Sequence, residues 1–248
     1  MWDFALLATA AFFAGVLNTV AGGGTFLTFP ALVFTGVPVV AANATSTVAV
    51  FPGYFGGAMG FRKEIAAFDR RRLARIVGFT AIGGLLGSLL LLVSSNEAFS
   101  FVVPFLLAAA TLAFAYGHKI QAWASRHAAA KPDGALSTIL VSIYGGYFNG
   151  GLGIVLLALF SLWGMRDLNE MNALKNFLSL ILSAISVVTF AFAGIVAWPQ
   201  AVVMMIAATI GGYAGAPLAR ALPREVVRAV VIVMGATMSA IFFWRLFV

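Results

Sequence analysis

The run from Phe4 to Gly36 is 33 residues of almost unbroken hydrophobic sequence, with Gly22, Gly23 and Gly24 in its middle. A helix crossing a bilayer needs about 20 apolar residues. Two such helices and a turn would need more than about 40. The run is too long for one crossing and too short for two. A second glycine-broken segment, "GGYFNGGLGIVLLALF" (Gly145 to Phe160), stands in the other half of the chain.

The surrounding sequence confines this feature to a membrane. Of 248 residues 62% are hydrophobic and 9% charged, far from the balance of a soluble domain. Long apolar runs follow one another with short polar breaks, which reads as a polytopic helical protein; a β-barrel would show short alternating segments. Cysteine is absent, which excludes a disulfide framework and a thiolate metal site. The net charge of +7 is no nucleic-acid signal, because the Lys and Arg residues flank helix ends, where they set topology. The opening "MWDFALLATAAFFAG" has neither a basic n-region nor a small-residue cleavage site and reads as a retained membrane segment.

Hydropathy places helices at 4–21, 25–35, 43–61, 73–93, 99–116, 135–149, 153–164, 172–193, 199–219 and 226–247. The longest polar break is 117–134. A shift of 128 residues lays Gly22, Gly23, Gly36, Gly83, Gly84 and Gly87 on Gly150, Gly151, Gly164, Gly211, Gly212 and Gly215, the mark of an internal repeat. The expected organisation is a first membrane repeat at 1–118, a cytoplasmic linker at 119–134 and a second membrane repeat at 135–248.

Each glycine-broken segment is either one kinked crossing or a re-entrant hairpin of two half-helices. With eight simple crossings, Lys and Arg divide ten against five between the two sides. With two hairpins they divide fourteen against one, the exception being Arg245. The positive-inside rule therefore favours the hairpins. The expected fold is an all-α polytopic membrane protein of two inverted repeats, each a re-entrant helical hairpin plus three transmembrane helices, with both termini outside. Eight simple transmembrane helices are the alternative.

All eight acids and both histidines fall at expected helix ends or in loops. No span carries a carboxylate pair, a His-Glu metal set or a Ser-His pair, so a membrane enzyme is not expected, nor any cofactor. Lys175, in "MNALKNFLSLILS", is placed in the first turn of the helix 172–193, with Asn172 and Asn176 beside it. An ionisable residue there is a functional candidate, against the alternative of snorkelling to the interface. The related stretch "ANATSTVAV" supplies Asn43, Thr45 and Ser46 in the first half. The second arm of each hairpin begins just after the glycines, and a helix N-terminus offers free N–H groups to an anion. The candidate anion-binding residues are Gly22, Gly23, Gly24, Thr25, Asn43, Thr45, Ser46, Tyr54, Tyr147, Asn149, Gly150, Gly151, Asn172, Lys175 and Asn176. No metal site is expected.

The string "GGGTFLTFPALVFTGVPVVAANATS", Gly22 to Ser46, with a weaker copy at Gly150 to Asn176, resembles the sulfite exporter TauE/SafE family of membrane transporters. The second copy departs from the first, with Leu174 and Lys175 where the first has Thr45 and Ser46, which favours one composite site over two symmetric ones. The resemblance implies a multi-pass protein of the cell inner membrane that carries sulfite or an organosulfonate such as sulfoacetate, or another small organic anion. The expected function is secondary transport of a small anion by alternating access; an anion channel is the alternative. The expected partners are the anionic substrate and membrane lipid, with no nucleic acid. The coupling ion (proton or sodium) and a homo-oligomeric state stay open.

Overall fold

The computed structural model describes residues 2–20, 23–126, 134–221 and 224–244. Among the described residues every regular element is a helix: α1 (Trp2–Val20), α2 (Thr25–Phe34), α3 (Val39–Gly60), α4 (Arg62–Ala67), α5 (Arg70–Val93), α6 (Asn96–Arg126), α7 (Ala135–Tyr147), α8 (Leu152–Leu162), α9 (Leu168–Phe192), α10 (Trp198–Ala221) and α11 (Arg224–Trp244). Segments of α5, α6 and α9 are long and apolar enough to cross a membrane. The second arms α2 and α8 have 10 and 11 residues. At about 1.5 Å per residue each is roughly half a bilayer core long.

Local chemistry sets the ends. The Asp69 carboxylate accepts from the Arg72 N–H at 2.8 Å and starts α5. Asp167 accepts from Asn169 and Glu170 and starts α9 at Leu168. This cap begins α9 four residues before the start expected from hydropathy. Lys175 is therefore the eighth residue of the helix, not a first-turn residue. Both half-helices stop alike: Gly36 and Gly164 have φ of 84° and 83°, and Val37 and Met165 then donate to Leu32 and Phe160 five residues back. Only glycine enters that left-handed conformation without cost, which closes a Schellman-type terminus. The polar break after Tyr116 is helical as far as Arg126. Its Ala, Lys, Gln and Arg residues are good helix formers and carry the helix past Gly117; residues 127–133 lie outside those described.

The packing is that of a membrane protein. Ile82, Leu85, Leu86, Leu89 and Leu90 of α5 face outward, while Thr80 and Ser88 of the same helix are buried. Helix contacts depend on glycine. A Cβ on Gly15 would lie 2.0 Å from the Ala208 carbonyl oxygen, joining α1 to α10; one on Gly87 would lie 2.2 Å from the Ile143 carbonyl oxygen, joining α5 to α7. The ends of α5 and α10 are offset by 128 residues, so the opening helix of each half packs on the corresponding helix of the other half.

Side-chain pairs fix the helix directions. Gly84 faces Leu182 and Ser88 bonds Ser186 at 2.9 Å, so α5 and α9 are parallel. Gly57 of α3 faces Asn176 near the start of α9, while Thr45 near the start of α3 bonds Ala197 just beyond the end of α9; α3 and α9 are antiparallel. Phe68 and Leu73 join one apolar cluster with Trp163 and Met165, which places the α4–α5 and α8–α9 connections at one end of the bundle. At the other end the Val40 N–H donates to Asn96 at 3.1 Å. In the core, the Phe29 ring lies 5.9 Å from that of Phe148 and 5.7 Å from that of Phe242, joining α2, the α7–α8 tip and α11.

Candidate functional site

The two glycine-broken tips and the middle of α3 bring most of the candidate residues together. At the first tip the Gly24 N–H donates to the Asn18 carboxamide oxygen at 2.8 Å. A residue of α1 thus occupies one of the amides that a helix N-terminus leaves open. A Cβ on Gly24 would lie 2.6 Å from Asn18 Nδ2, and one on Gly53 of α3 would lie 4.0 Å from the same nitrogen. Gly23 and Thr25 are buried here. Gly22 lies outside the described residues.

At the second tip α7 ends at Tyr147, Asn149 has φ 61° and Gly151 has φ 69°. Asparagine tolerates this region better than most residues. Gly151 is the N-cap of α8 and supplies no side-chain cap, so the first-turn amides of α8 are not covered by a side chain of that residue. The Tyr144 hydroxyl donates to the Gly150 carbonyl and ties the tip to its own first arm. The Tyr54 hydroxyl of α3 faces the Asn149 amide, although neither amide atom of Asn149 reaches hydrogen-bond geometry with the described residues.

Lys175 completes the arrangement. A Cβ on Gly153, in the first turn of α8, would lie 3.4 Å from Lys175 Cδ. Its ammonium donates to Asn172 Oδ1 at 3.0 Å. The Leu152 and Ile154 N–H groups of that turn of α8 donate to the Asn149 and Gly151 carbonyls at 3.4 and 3.0 Å, so what the helix end adds to the cation is chiefly the positive end of its dipole. Asn176, one residue on, lies against Gly57 of α3; a Cβ there would be 3.1 Å from Asn176 Cγ.

The structure thus gathers Tyr54, Asn149, Gly151, Asn172, Lys175 and Asn176 around the second tip, with Gly23, Gly24 and Thr25 at the first. Gly150 contributes its carbonyl to Tyr144. Tyr147 donates no side-chain atom to α8; its carbonyl accepts from Asn43 Nδ2 at 2.8 Å. Thr45 and Ser46 bind helix to helix: Thr45 Oγ1 accepts from the Ala197 N–H at 3.0 Å, and Ser46 Oγ pairs with Thr28 Oγ1 at 2.6 Å. Ser46 is eight residues, about 12 Å of helix rise, from Tyr54.

Asn18, Gly53, Gly57 and Gly153 belong to the same region and were not expected from the sequence. Asn18 carried a legible signal as a lone amide six residues before Gly24 in an apolar run. Gly53 and Gly57 form a small-xxx-small pair, the ordinary mark of close helix approach.

The comparisons with known proteins agree with this architecture. The family model for "Sulfite exporter TauE/SafE" matches residues 7–242. A "Probable membrane transporter protein" of Haemophilus influenzae is 26% identical over 238 residues, 95% of this chain and 92% of that protein. "Probable membrane transporter protein ORF9" of Sinorhizobium sp is 24% identical over 238 residues, 95% and 90% of the two chains. "Probable membrane transporter protein YfcA" of Escherichia coli K12 is 25% identical over 233 residues, 93% and 86%. No solved structure matches. An all-helical, multi-pass chain matched from Leu7 to Phe242 belongs to the sulfite exporter TauE/SafE family of membrane transporters.

Proposed function

We propose that this transporter is a secondary carrier of a small oxyanion, sulfite or an organosulfonate such as sulfoacetate, moved across the inner membrane by alternating access. The observation that carries the reading is Lys175, two turns inside α9, lying along the first turn of α8, whose N-terminus has no side-chain cap. A fixed charge and a helix N-terminus converging on one point suit a compact anion with several oxygens. The Asn172 amide orients the ammonium, and Tyr54 and Asn176 border the same space on α3 and α9. The first tip differs, because a side chain, Asn18 of α1, takes its Gly24 amide, and among the described residues no charged residue is placed beside it as Lys175 is beside α8. One composite site at the second tip follows, with the first tip as its neighbour across α3.

The test is a thermal-stability screen of the purified protein against potassium salts of sulfite, sulfate, thiosulfate, sulfoacetate and acetate. A ligand that binds only the folded state raises its apparent stability. Stabilisation by sulfite or a sulfonate, but not by acetate, is the expected result; no response to any sulfur oxyanion would remove the assignment.

In this reading α1–α2 and α7–α8 are re-entrant hairpins and the halves 1–118 and 135–248 are inverted repeats joined by 119–134. Parallel α5 and α9 and antiparallel α3 and α9 support it, because eight simple crossings would reverse both relations. The shared end formed by the α4–α5 and α8–α9 connections carries Arg62, Lys63, Arg70, Arg71, Arg72, Arg75 and Arg166, as a cytoplasmic end should. The chain has no natural cysteine, so labelling is direct. A cysteine at Ala122 and one appended after Val248 should react with an impermeant maleimide from opposite sides; reaction from the same side would restore the eight-crossing topology.

A further inference from the structure

We infer that Asn18 is a specificity-determining substrate contact: its NH2 group, presented over Gly53 of α3, donates to an oxygen at the end of the anion remote from Lys175. The ligand class is a sulfonate that carries a second oxygen acceptor. The inference rests on the carrier reading and extends its site across α3 to the first tip.

Chemistry fixes the orientation of Asn18. The Gly24 N–H only donates, so the atom it meets at 2.8 Å is the carboxamide oxygen. The NH2 group is left with no hydrogen bond among the described residues. It lies 4.0 Å from the position of a Cβ on Gly53. The amide oxygen is held by a backbone N–H at the start of α2, which polarises the amide and passes the positive end of that helix on to Nδ2. A free donor of this kind suits an anion and not a cation.

Gly53 lacks the reason for glycine that the helix seams show. Cβ atoms on Gly83, Gly87 and Gly211 would lie 2.5, 2.2 and 2.0 Å from the Ile139, Ile143 and Phe12 carbonyl oxygens. A Cβ on Gly53 would meet only Asn18, and one on Gly56 would meet nothing within 4 Å. Both residues are inside α3, where glycine costs stability relative to alanine. Room is therefore kept beside an unpaired amide. Hydrocarbon is a poor filling for that room, because an unpaired N–H in an apolar medium is costly.

The same turn of α3 carries further polar wall. Tyr54 faces Asn149, which is 3% exposed and has neither amide atom partnered among the described residues. Gly57 lies against Asn176, whose amide makes no hydrogen bond among the described residues. Gly53 and Gly57 are about 6 Å apart along the helix, the scale of an anion with oxygens at both ends. Amides from α1, the second tip and α9 thus reach one turn of α3, and Asn176 is the chain neighbour of Lys175.

The experiment compares 2-methoxyethanesulfonate with butanesulfonate by thermal-shift titration of the purified protein, with sulfite as reference. The two sulfonates share charge and length, and only the first has an ether oxygen, which accepts and cannot donate. Asn18→Asp keeps an oxygen for the Gly24 N–H and removes the donor. The preference for the ether over the alkyl sulfonate is expected to fall about tenfold in this variant. Gly53→Ala adds a Cβ in contact with Asn18 alone; the midpoint of the unliganded protein should not fall, while the same preference drops about threefold. A preference unmoved in Asn18→Asp overturns the contact, as does binding of sulfite with neither sulfonate bound. If Asn18→Asp does not fold, an unmoved preference in Gly53→Ala overturns it instead. Lys175→Met keeps the two readings apart. Weakening of all three anions by that change, with the preference unmoved in Asn18→Asp, removes only the Asn18 contact; no binding of any of the three to the wild type removes the carrier reading.

Discussion

Lys175→Met is expected to leave a folded, membrane-inserted protein whose anion binding is weakened about 100-fold, roughly 2.7 kcal/mol. Among the described residues Lys175 makes one polar contact, to a neutral amide, Asn172 Oδ1 at 3.0 Å, so the substitution strands no buried countercharge there. Methionine also preserves most of the stem packed along Gly153. What disappears is the charge beside α8, and charged hydrogen bonds to a ligand contribute more than neutral ones. Lys175→Arg should retain part of the binding, because charge persists while its geometry changes. Titration of sulfite by thermal shift and by counterflow into proteoliposomes reads both variants. Wild-type affinity in Lys175→Met would reduce the anion site to the helix terminus.

Gly151→Leu is expected to abolish counterflow. The residue has φ 69°, where a side chain costs on the order of 1–3 kcal/mol. Its Cβ would lie 3.0 Å from the Ala110 Cβ of α6, and the remaining atoms of leucine would have to displace α6 or the tip. Gly151→Asn separates the two causes, since asparagine tolerates positive φ; it should recover insertion and part of the transport. Gly24→Leu at the other tip would place its Cβ 2.6 Å from Asn18 Nδ2 and 2.9 Å from the Ala14 carbonyl oxygen, breaking the contact that caps α2. Size-exclusion profiles of the detergent-solubilised variants check that the loss is not simple unfolding. Normal counterflow in Gly151→Leu would show that the tip neither turns tightly nor approaches substrate.

Hydropathy was sufficient for the helical class but not for the arms of the first glycine-broken run, where two half-helices were expected: α1 has 19 residues, about 28 Å and close to a full bilayer core, and only α2, with 10, is a half-helix. Lys175 was legible as a candidate because a charge in an apolar segment has few reasons to be there. Its depth was not legible. The Asp167 cap extends α9 backward through polar residues that a hydropathy window treats as loop. The first-half cluster Asn43, Thr45 and Ser46 looked uniform in sequence, as neutral hydrogen-bonding residues in an apolar helix. Tertiary structure divides it: Thr45 and Ser46 tie α3 to the start of α10 and to α2, while Asn43 reaches the second tip. Neutral polar residues serve helix association and ligand contact with the same chemistry, so only packing separates the two. Asn18 escaped notice for the opposite reason, as a single amide with no polar neighbour except Thr19.

The glycine seam between α1 and α10 also governs how the chain is made. The main-chain contact of Gly15 with Ala208 and that of Gly211 with Phe12 can form only after the ribosome has finished α10. At about 5–20 residues per second, α1 waits roughly 10–40 s for its partner. For that interval its glycine face lies against lipid or against the insertion machinery. Nascent chains stalled before residue 198 should therefore expose α1 to degradation and to crosslinking with insertase components. Chains released beyond residue 221 should escape both. Quality control of this transporter is thus decided near the end of synthesis, although the segment at risk is the first to enter the membrane.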